Sequence, residues 1–526
     1  IYHCEDHTCN YWDEGEKLPE RCPQCGRKLL RANEADMTGD DWTALGNTLW
    51  DAEASDKKRM VDCFRKAAYL GSAWGVCNLG ICMEQGNGVE ADPVQAFWLY
   101  QQAVEMGSLN AVCCLGVCYQ YGIGTAPDAK QAAELYCKAA EYGSPRGQML
   151  LARAFHDGIG VEADAAEAVH WVRAAAYQRY GEGMHRLGVC YEYGDGVEQN
   201  WEHAVHWFRE AAESGVSTAM TDLGYCYEKG CGVEQSWEQA FSWYRRGAEC
   251  GYPVSMSNLG LCYKRGYGVE QNWQEAIKWY EQGAQCGNLQ SMHNLACCYE
   301  RGEGVKQNMT EAIRWYTAAA EGGNADAMHN LGWHYDHGEG VEQDMKKAIC
   351  WYERAAEQNH PAAMNSLGEC YAMGRGVPRD LETAMEWYRR AAELGEAMAD
   401  YNMGWHLEQA GKLSEAYAHY RKAADGNDDS AWWALGRFYE NGVVVAQDGK
   451  EARRCYETGE KLGSVKCKMR LARCKLLGIG GRRAKKAGLD LCRQALELAK
   501  ESSEKEDYGY EAEMNLLRRT IAENES

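Results

Sequence analysis

Hydrophobic and polar positions alternate with one long period along this chain. A glycine within a Leu-Gly or similar pair returns as Gly80, Gly116, Gly188, Gly224, Gly260, Gly332, Gly368 and Gly404, with Ala152 and Ala296 in the same slot, at a constant step of 36 residues. Gly46 precedes this run, and Gly436 and Ala472 follow it at slightly altered spacing. Positions below are counted from this landmark residue, taken as zero. Each period reads as two helices. The first ends at paired glycines such as Gly86-x-Gly88 and Gly374-x-Gly376, where glycine supplies the left-handed conformation that closes a helix. The second starts at position +12, filled by Asp92, Asp128, Asp164, Asn200, Ser236, Asn272, Asn308, Asp344 and Asp380, all good N-caps. Glu or Gln three residues on, as at Gln95, Gln131, Glu167, Gln239, Glu275 and Glu311, predicts a reciprocal capping box. Ala204, Trp207-Phe208 and Ala211-Ala212 show the apolar spacing of one buried helical face. No single helix pair can bury such a face alone, so the pairs must stack.

The predicted fold is all-α: a solenoid of about thirteen helix-turn-helix units with a 36-residue period, spanning 41–480. Capping helices with a basic start would follow over 481–526, and a linker over 31–40 would join the array to a small N-terminal module over 1–30. That module holds Cys4-x4-Cys9 and Cys22-Pro-Gln-Cys25-Gly26. Two cysteine pairs close a tetrahedral thiolate site, so a structural zinc on Cys4, Cys9, Cys22 and Cys25 is the expectation. His3 and His7 compete with Cys4, and an iron or redox site is the alternative.

Segments such as Ala219-Met-Thr-Asp-Leu-Gly-Tyr-Cys-Tyr-Glu-Lys-Gly-Cys-Gly-Val233 resemble the Sel-one-like repeat, a relative of the tetratricopeptide repeat. The N-terminal module is similar to a zinc ribbon or rubredoxin-like knuckle. The repeat resemblance implies a right-handed superhelix with a concave groove and a role as an adaptor that assembles other proteins.

With 526 residues, 8 prolines and 57 glycines, the composition fits helices joined by glycine turns. The net charge of −22 disfavours nucleic acid and anionic lipid as default partners. From Lys461 to Arg493, however, eleven basic residues face only Asp490. Within this stretch Arg482, Arg483, Lys485 and Lys486 form a candidate basic patch, read as a solvated cap, a dock for an acidic partner, or a nucleic-acid contact. No apolar run reaches the ~18 residues that span a bilayer, and no signal peptide is recognisable. The 25 cysteines favour a reducing compartment, hence a cytoplasmic location.

Asn78, Asn258, Asn294, Asn330 and Asn402 recur at position −2. They are candidates for a ladder that binds a peptide backbone; the competing reading is structural amides that bond the next helix. Cysteines at +2, such as Cys82, Cys190 and Cys370, read as small buried apolar residues. His203-x2-His206 and His334-x2-His337 lack a clear third ligand. No nucleophile-base-acid constellation is recognisable, so the chain is expected not to be an enzyme. The expected function is a protein-interaction scaffold that binds a peptide or partner domain in its groove. The alternative is a nucleic-acid-associated module using the knuckle and the basic patch.

Overall fold

A computed structural model describes residues 2–4, 12–13, 29–31, 37–50, 54–505 and 511–525. It divides into two compact units, Ile1–Asn272 and Trp273–Ser526. The first unit begins with a three-stranded antiparallel sheet of β1 (Tyr2–Cys4), β2 (Trp12–Asp13) and β3 (Leu29–Arg31), in the order β2-β1-β3. Cys4 ends β1, while Cys9, Cys22 and Cys25 lie outside the described residues.

All other described elements are helices. Thirteen pairs run from Gly39–Thr48 with Ala54–Tyr69 to Val465–Leu477 with Lys485–Lys505, and Glu511–Glu525 closes the chain. Within each unit the pairs stack as an α-solenoid, and successive first helices touch one another in several places. From Ala73–Gln85 to Val465–Leu477 every helix has 13 residues, about 20 Å at the α-helical rise.

The landmark glycine is a packing position. A Cβ on Gly224 would meet the Tyr244 ring at 2.6 Å, and one on Gly368 would meet Tyr388 at 2.5 Å. The aromatic at +20 thus lies flat against the first helix and is fully buried in nearly every pair, as at Tyr100, Tyr136, Tyr352 and Tyr456. Its hydroxyl returns to the side chain at +4: Tyr100 donates to Glu84 (2.6 Å), Tyr136 to Gln120 (2.7 Å) and Tyr244 to Glu228 (2.9 Å). The +2 cysteines are buried thiols, Cys82 and Cys370 both being 0% exposed. Burial pushes their pKa up, to about 11 in each case.

Eight of the nine predicted N-caps accept a backbone bond from the first turn of the second helix. Asp92 Oδ1 accepts from Gln95 N (2.9 Å) and Asn200 Oδ1 from His203 N (3.0 Å). The reciprocal half of the capping box does not form. The cap's own N–H, which the N3 side chain would have to reach, already donates to the first helix: Asp92 N to Met83 O (2.8 Å), Asn200 N to Tyr191 O (2.8 Å) and Asn308 N to Tyr299 O (2.9 Å). Glutamine at +11 completes the closure. Gln199 donates to Glu192 O (2.7 Å), Gln235 to Glu228 O (2.8 Å) and Gln307 to Glu300 O (2.9 Å). Each inter-helix loop is therefore stitched to the last turn of its own first helix. The pair at Gly404 departs from the pattern: Ala397–Gln409 and Leu413–Asp425 are joined by a short turn, and Lys412 caps without a side-chain bond.

Candidate protein-binding face

The first helix of each pair buries the stripe that carries the landmark glycine. Residues at −6, −2, +1 and +5 are spaced by three or four and share another stripe. This stripe carries exposed apolar side chains beside half-buried polar ones. In the first unit Trp74 (−6), Tyr225 and Leu261 (+1) and Tyr121 and Tyr193 (+5) are exposed; Tyr225 is 44% exposed. In the second unit Met398 (−6), Trp405 (+1) and Met373 (+5) are exposed, Trp405 at 38%.

The five −2 asparagines are all half-buried on this stripe. Asn78 donates to Asn47 Oδ1 (2.8 Å). Asn330 bonds His293 (3.1 Å), and Asn402 donates to Asn365 Oδ1 (2.9 Å) and Glu369 Oε1 (3.3 Å). Asn294 accepts from Gln290 on its own helix (3.4 Å), and Asn258 sits in Pro253–Arg265. The recurring link joins −3 of one pair to −2 of the next; His185 with Asp222 (2.6 Å) and His329 with Ser366 (3.4 Å) repeat it. The row thus braces one pair against its neighbour. Part of each amide's bonding capacity stays open, since an amide side chain offers two donors and two acceptor lone pairs.

In the second unit this row borders a cavity of about 320 Å³ lined by His329, Trp333, Asn365, Ser366, Glu369 and Arg375 among others. Asp336 at its wall is 4% exposed, and Arg375 Nη1 bonds it at 3.0 Å. Burial holds the His329 imidazole down, to about 4, and pushes the Glu369 carboxyl up. Its wall offers the Asn365 amide, the Ser366 hydroxyl and the His329 imidazole, with Arg375 set between Asp336 and Glu369 and with Glu396 adding a further carboxylate. The sequence could not foresee this cavity, because Asp336 and Arg375 stand 39 positions apart.

The histidine pairs serve packing. His334 bonds Glu339 O (3.0 Å), His337 stacks on Trp333 (4.3 Å), and His203 and His206 abut Tyr191 and Trp207. Among the described residues no group of three or more His, Cys, Asp or Glu side chains could hold a metal ion, and no helix is long and apolar enough to cross a membrane.

Arg482, Arg483, Lys485 and Lys486 are exposed at the start of Lys485–Lys505. Arg483 is tied inward, to Leu476 O (3.2 Å) and Asn524 Oδ1 (2.6 Å). Upstream, Arg470 and Arg473 are absorbed by Glu440 and Glu513. The basic stretch is therefore partly internal wiring.

The Sel1 repeat family model matches eleven segments: residues 75–108, 111–144, 145–180, 181–216, 217–252, 253–288, 289–324, 325–360, 361–396, 397–428 and 431–464. A protective antigen of uropathogenic Escherichia coli with an SLR fold is 29% identical over 88% of this chain and 94% of that one, with a TM-score of 0.56. A Sel1 repeat protein from Oxalobacter formigenes is 31% identical over 46% of this chain and 96% of that one, with a TM-score of 0.43. No curated protein matches the chain. With its 36-residue period, its glycine-aromatic packing and a family model matched over most of its length, the chain belongs to the Sel1 repeat family.

Proposed function

We propose that the protein is a non-catalytic scaffold that binds a peptide or partner domain along the exposed stripe of its first helices. Repeat proteins of this kind generally act as protein-interaction scaffolds. One observation supports the reading here: exposed aromatic and aliphatic side chains at −6, +1 and +5 stand in register with half-buried amides at −2. Aromatic anchors beside polar groups that can still bond make up the chemistry of a protein interface. A cytoplasmic partner suits the many buried thiols.

The test is affinity enrichment with the full chain, followed by reconstitution with the purified partner. Tyr225→Glu and Trp405→Glu place charge on the stripe. Trp98→Glu and Tyr177→Glu place it on second helices, where those aromatics are also exposed. A partner bound by the parent and the second-helix variants, and weakened at least tenfold by the stripe variants, supports the proposal. Equal binding by all four variants refutes it.

We also infer that Cys4, Cys9, Cys22 and Cys25 hold one structural zinc ion, on the strength of their spacing alone. A four-thiolate site leaves no open position, so its role would be to fold the N-terminal module.

A further inference from the structure

Two pairs lack the ring that the others pack: the terminal one, with Ala472 at 0 and Cys492 at +20, and one within the first unit. At +20, where its neighbours carry Tyr100, Tyr136, Phe208 and Tyr244, this pair carries Val172, and its landmark position holds Ala152. The ring is missing and nothing replaces it. A cavity of about 370 Å³ remains, floored by Ala152, Ala168, Val172 and Cys190 and rimmed by His156 and Arg186, among others. This volume falls in the range of small-ligand sites, about 300–1,000 Å³. Its walls occupy positions 0, +16, +20 and +4, with +2 of the next pair. Positions 0 and +4 are the groups that a buried tyrosine touches elsewhere in the array: Gly80 and Glu84 contact Tyr100, and Gly224 and Glu228 contact Tyr244.

We propose that this cavity is a receptor for the phenol ring of a tyrosine side chain presented by a partner peptide. Three observations carry the assignment. The first is shape, since the cavity lies where the neighbouring pairs seat a buried ring and this pair has none.

The second is charge. Each rim arginine is matched by a carboxylate, Arg153 by Asp157 (3.4 Å) and Arg186 by Asp195 (3.4 Å), and Glu182 adds a further acid. His156 bridges the two carboxylates, at 2.6 Å from Asp157 and 3.3 Å from Asp195. No cation is left over to attract an anion, so an uncharged ring suits the site and a phosphorylated one does not. The third is hydrogen bonding. Elsewhere the phenol hydroxyl is met at +4 by Glu84, Gln120, Glu228, Glu408 or Glu440. Here it would arrive at His156 and the two carboxylates it bridges, which can accept its proton.

The mouth is accessible. His156 is 43% exposed, and Arg186 occupies the −2 slot that asparagine fills in other pairs. The cavity therefore opens on the stripe described above, and the peptide source of the ring rests on the scaffold reading of that stripe.

The test titrates N-acetyl-tyrosinamide, N-acetyl-phenylalaninamide and N-acetyl-phosphotyrosinamide into the full chain by ligand-detected NMR, up to millimolar concentration. Saturable binding of the tyrosine probe is expected, about 2- to 10-fold tighter than phenylalanine, as one net hydrogen bond gives. The phosphorylated probe should bind more weakly than either. The variant Ala152→Gly/Val172→Tyr restores the pairing used elsewhere and should abolish binding while keeping full helicity. Intermolecular NOEs from the probe ring to Val172 and Met149 in the parent chain check the site without any substitution. No saturable binding, binding that survives the refilled cavity, or NOEs to other residues overturns the proposal. The stripe variants Tyr225→Glu and Trp405→Glu should leave tyrosinamide binding unchanged, so the ring site and the scaffold reading can fail separately.

Discussion

Removal of Arg470 should unlatch the C-terminal end of the array and leave the rest intact. Arg470 is 13% exposed and bonds Glu440 (3.3 Å) and Glu513 (2.6 Å) on two different helices. Glu440 keeps Arg473 and the Tyr456 hydroxyl (2.8 Å) when Arg470 is lost. Glu513, 6% exposed, keeps the Trp433 indole N–H (3.2 Å) and the field of the nearby Lys466. Neither replaces the direct guanidinium bond to a buried carboxylate, and breaking such a pair from one side costs about 3–5 kcal/mol. Arg470→Met should therefore raise the opening equilibrium of the terminal helices at least ~100-fold, at about 1.4 kcal/mol per decade. In an array with nearest-neighbour coupling the loss stays local. Hydrogen exchange should accelerate in Glu511–Glu525 and Val465–Leu477 and stay unchanged in Ala73–Gln85. Arg470→Met/Glu513→Gln, which removes both charges, should recover most of the loss. A penalty under about 1 kcal/mol, or acceleration spread evenly along the chain, would refute the latch.

Other outcomes follow from the same geometry. Gly194→Ala and Gly196→Ala should differ sharply, although both glycines have positive φ: a Cβ on Gly194 finds its first neighbour at 3.4 Å, whereas one on Gly196 runs into the Ala165 carbonyl of the preceding pair. Urea unfolding should show about 1 kcal/mol for the first, as for loss of a left-handed glycine, and clearly more for the second; equal costs would contradict the packing role. His329 stacks on His360 (5.1 Å), and burial holds it down to about 4, against 6.5 for the free side chain. The unfolded chain therefore takes up a proton first. The stability that neutral His329 contributes above pH 6.5 should fade as pH falls toward 4, and His329→Gln should flatten this slope; parallel slopes in urea midpoints would refute it. Metal analysis of the purified chain should find one zinc per molecule, lost in Cys22→Ser/Cys25→Ser, and a metal-free parent would remove the knuckle.

The fold was legible because its rules repeat, while each departure from the rule needed coordinates to interpret. The N-caps at +12 and the glycine turns that close the first helices could be read from one-dimensional spacing, since each depends on neighbours within a few residues. The capping box failed because its target, the cap N–H of Asp92 or Asn200, is taken by a carbonyl nine residues upstream. Paired glycines read as one motif, yet only the second approaches the preceding pair's backbone. The −2 asparagines are visible as a series, but the −3 partners of Asn330 and Asn402 lie 37 positions away. Ala152 and Val172 show the same limit from the other side. Ala296 occupies the landmark slot too, and its pair keeps a buried Tyr316, so the alanine alone predicts no cavity. Loss of both the ring at +20 and the glycine at 0 leaves space here, whereas the terminal pair, Ala472 with Cys492, packs Cys492 among Met469, Leu476 and Ala495. In a repeat array, binding specificity therefore concentrates where the consensus lapses: identical units make identical surfaces, and one unit with its own aromatic missing is distinguishable from all its neighbours.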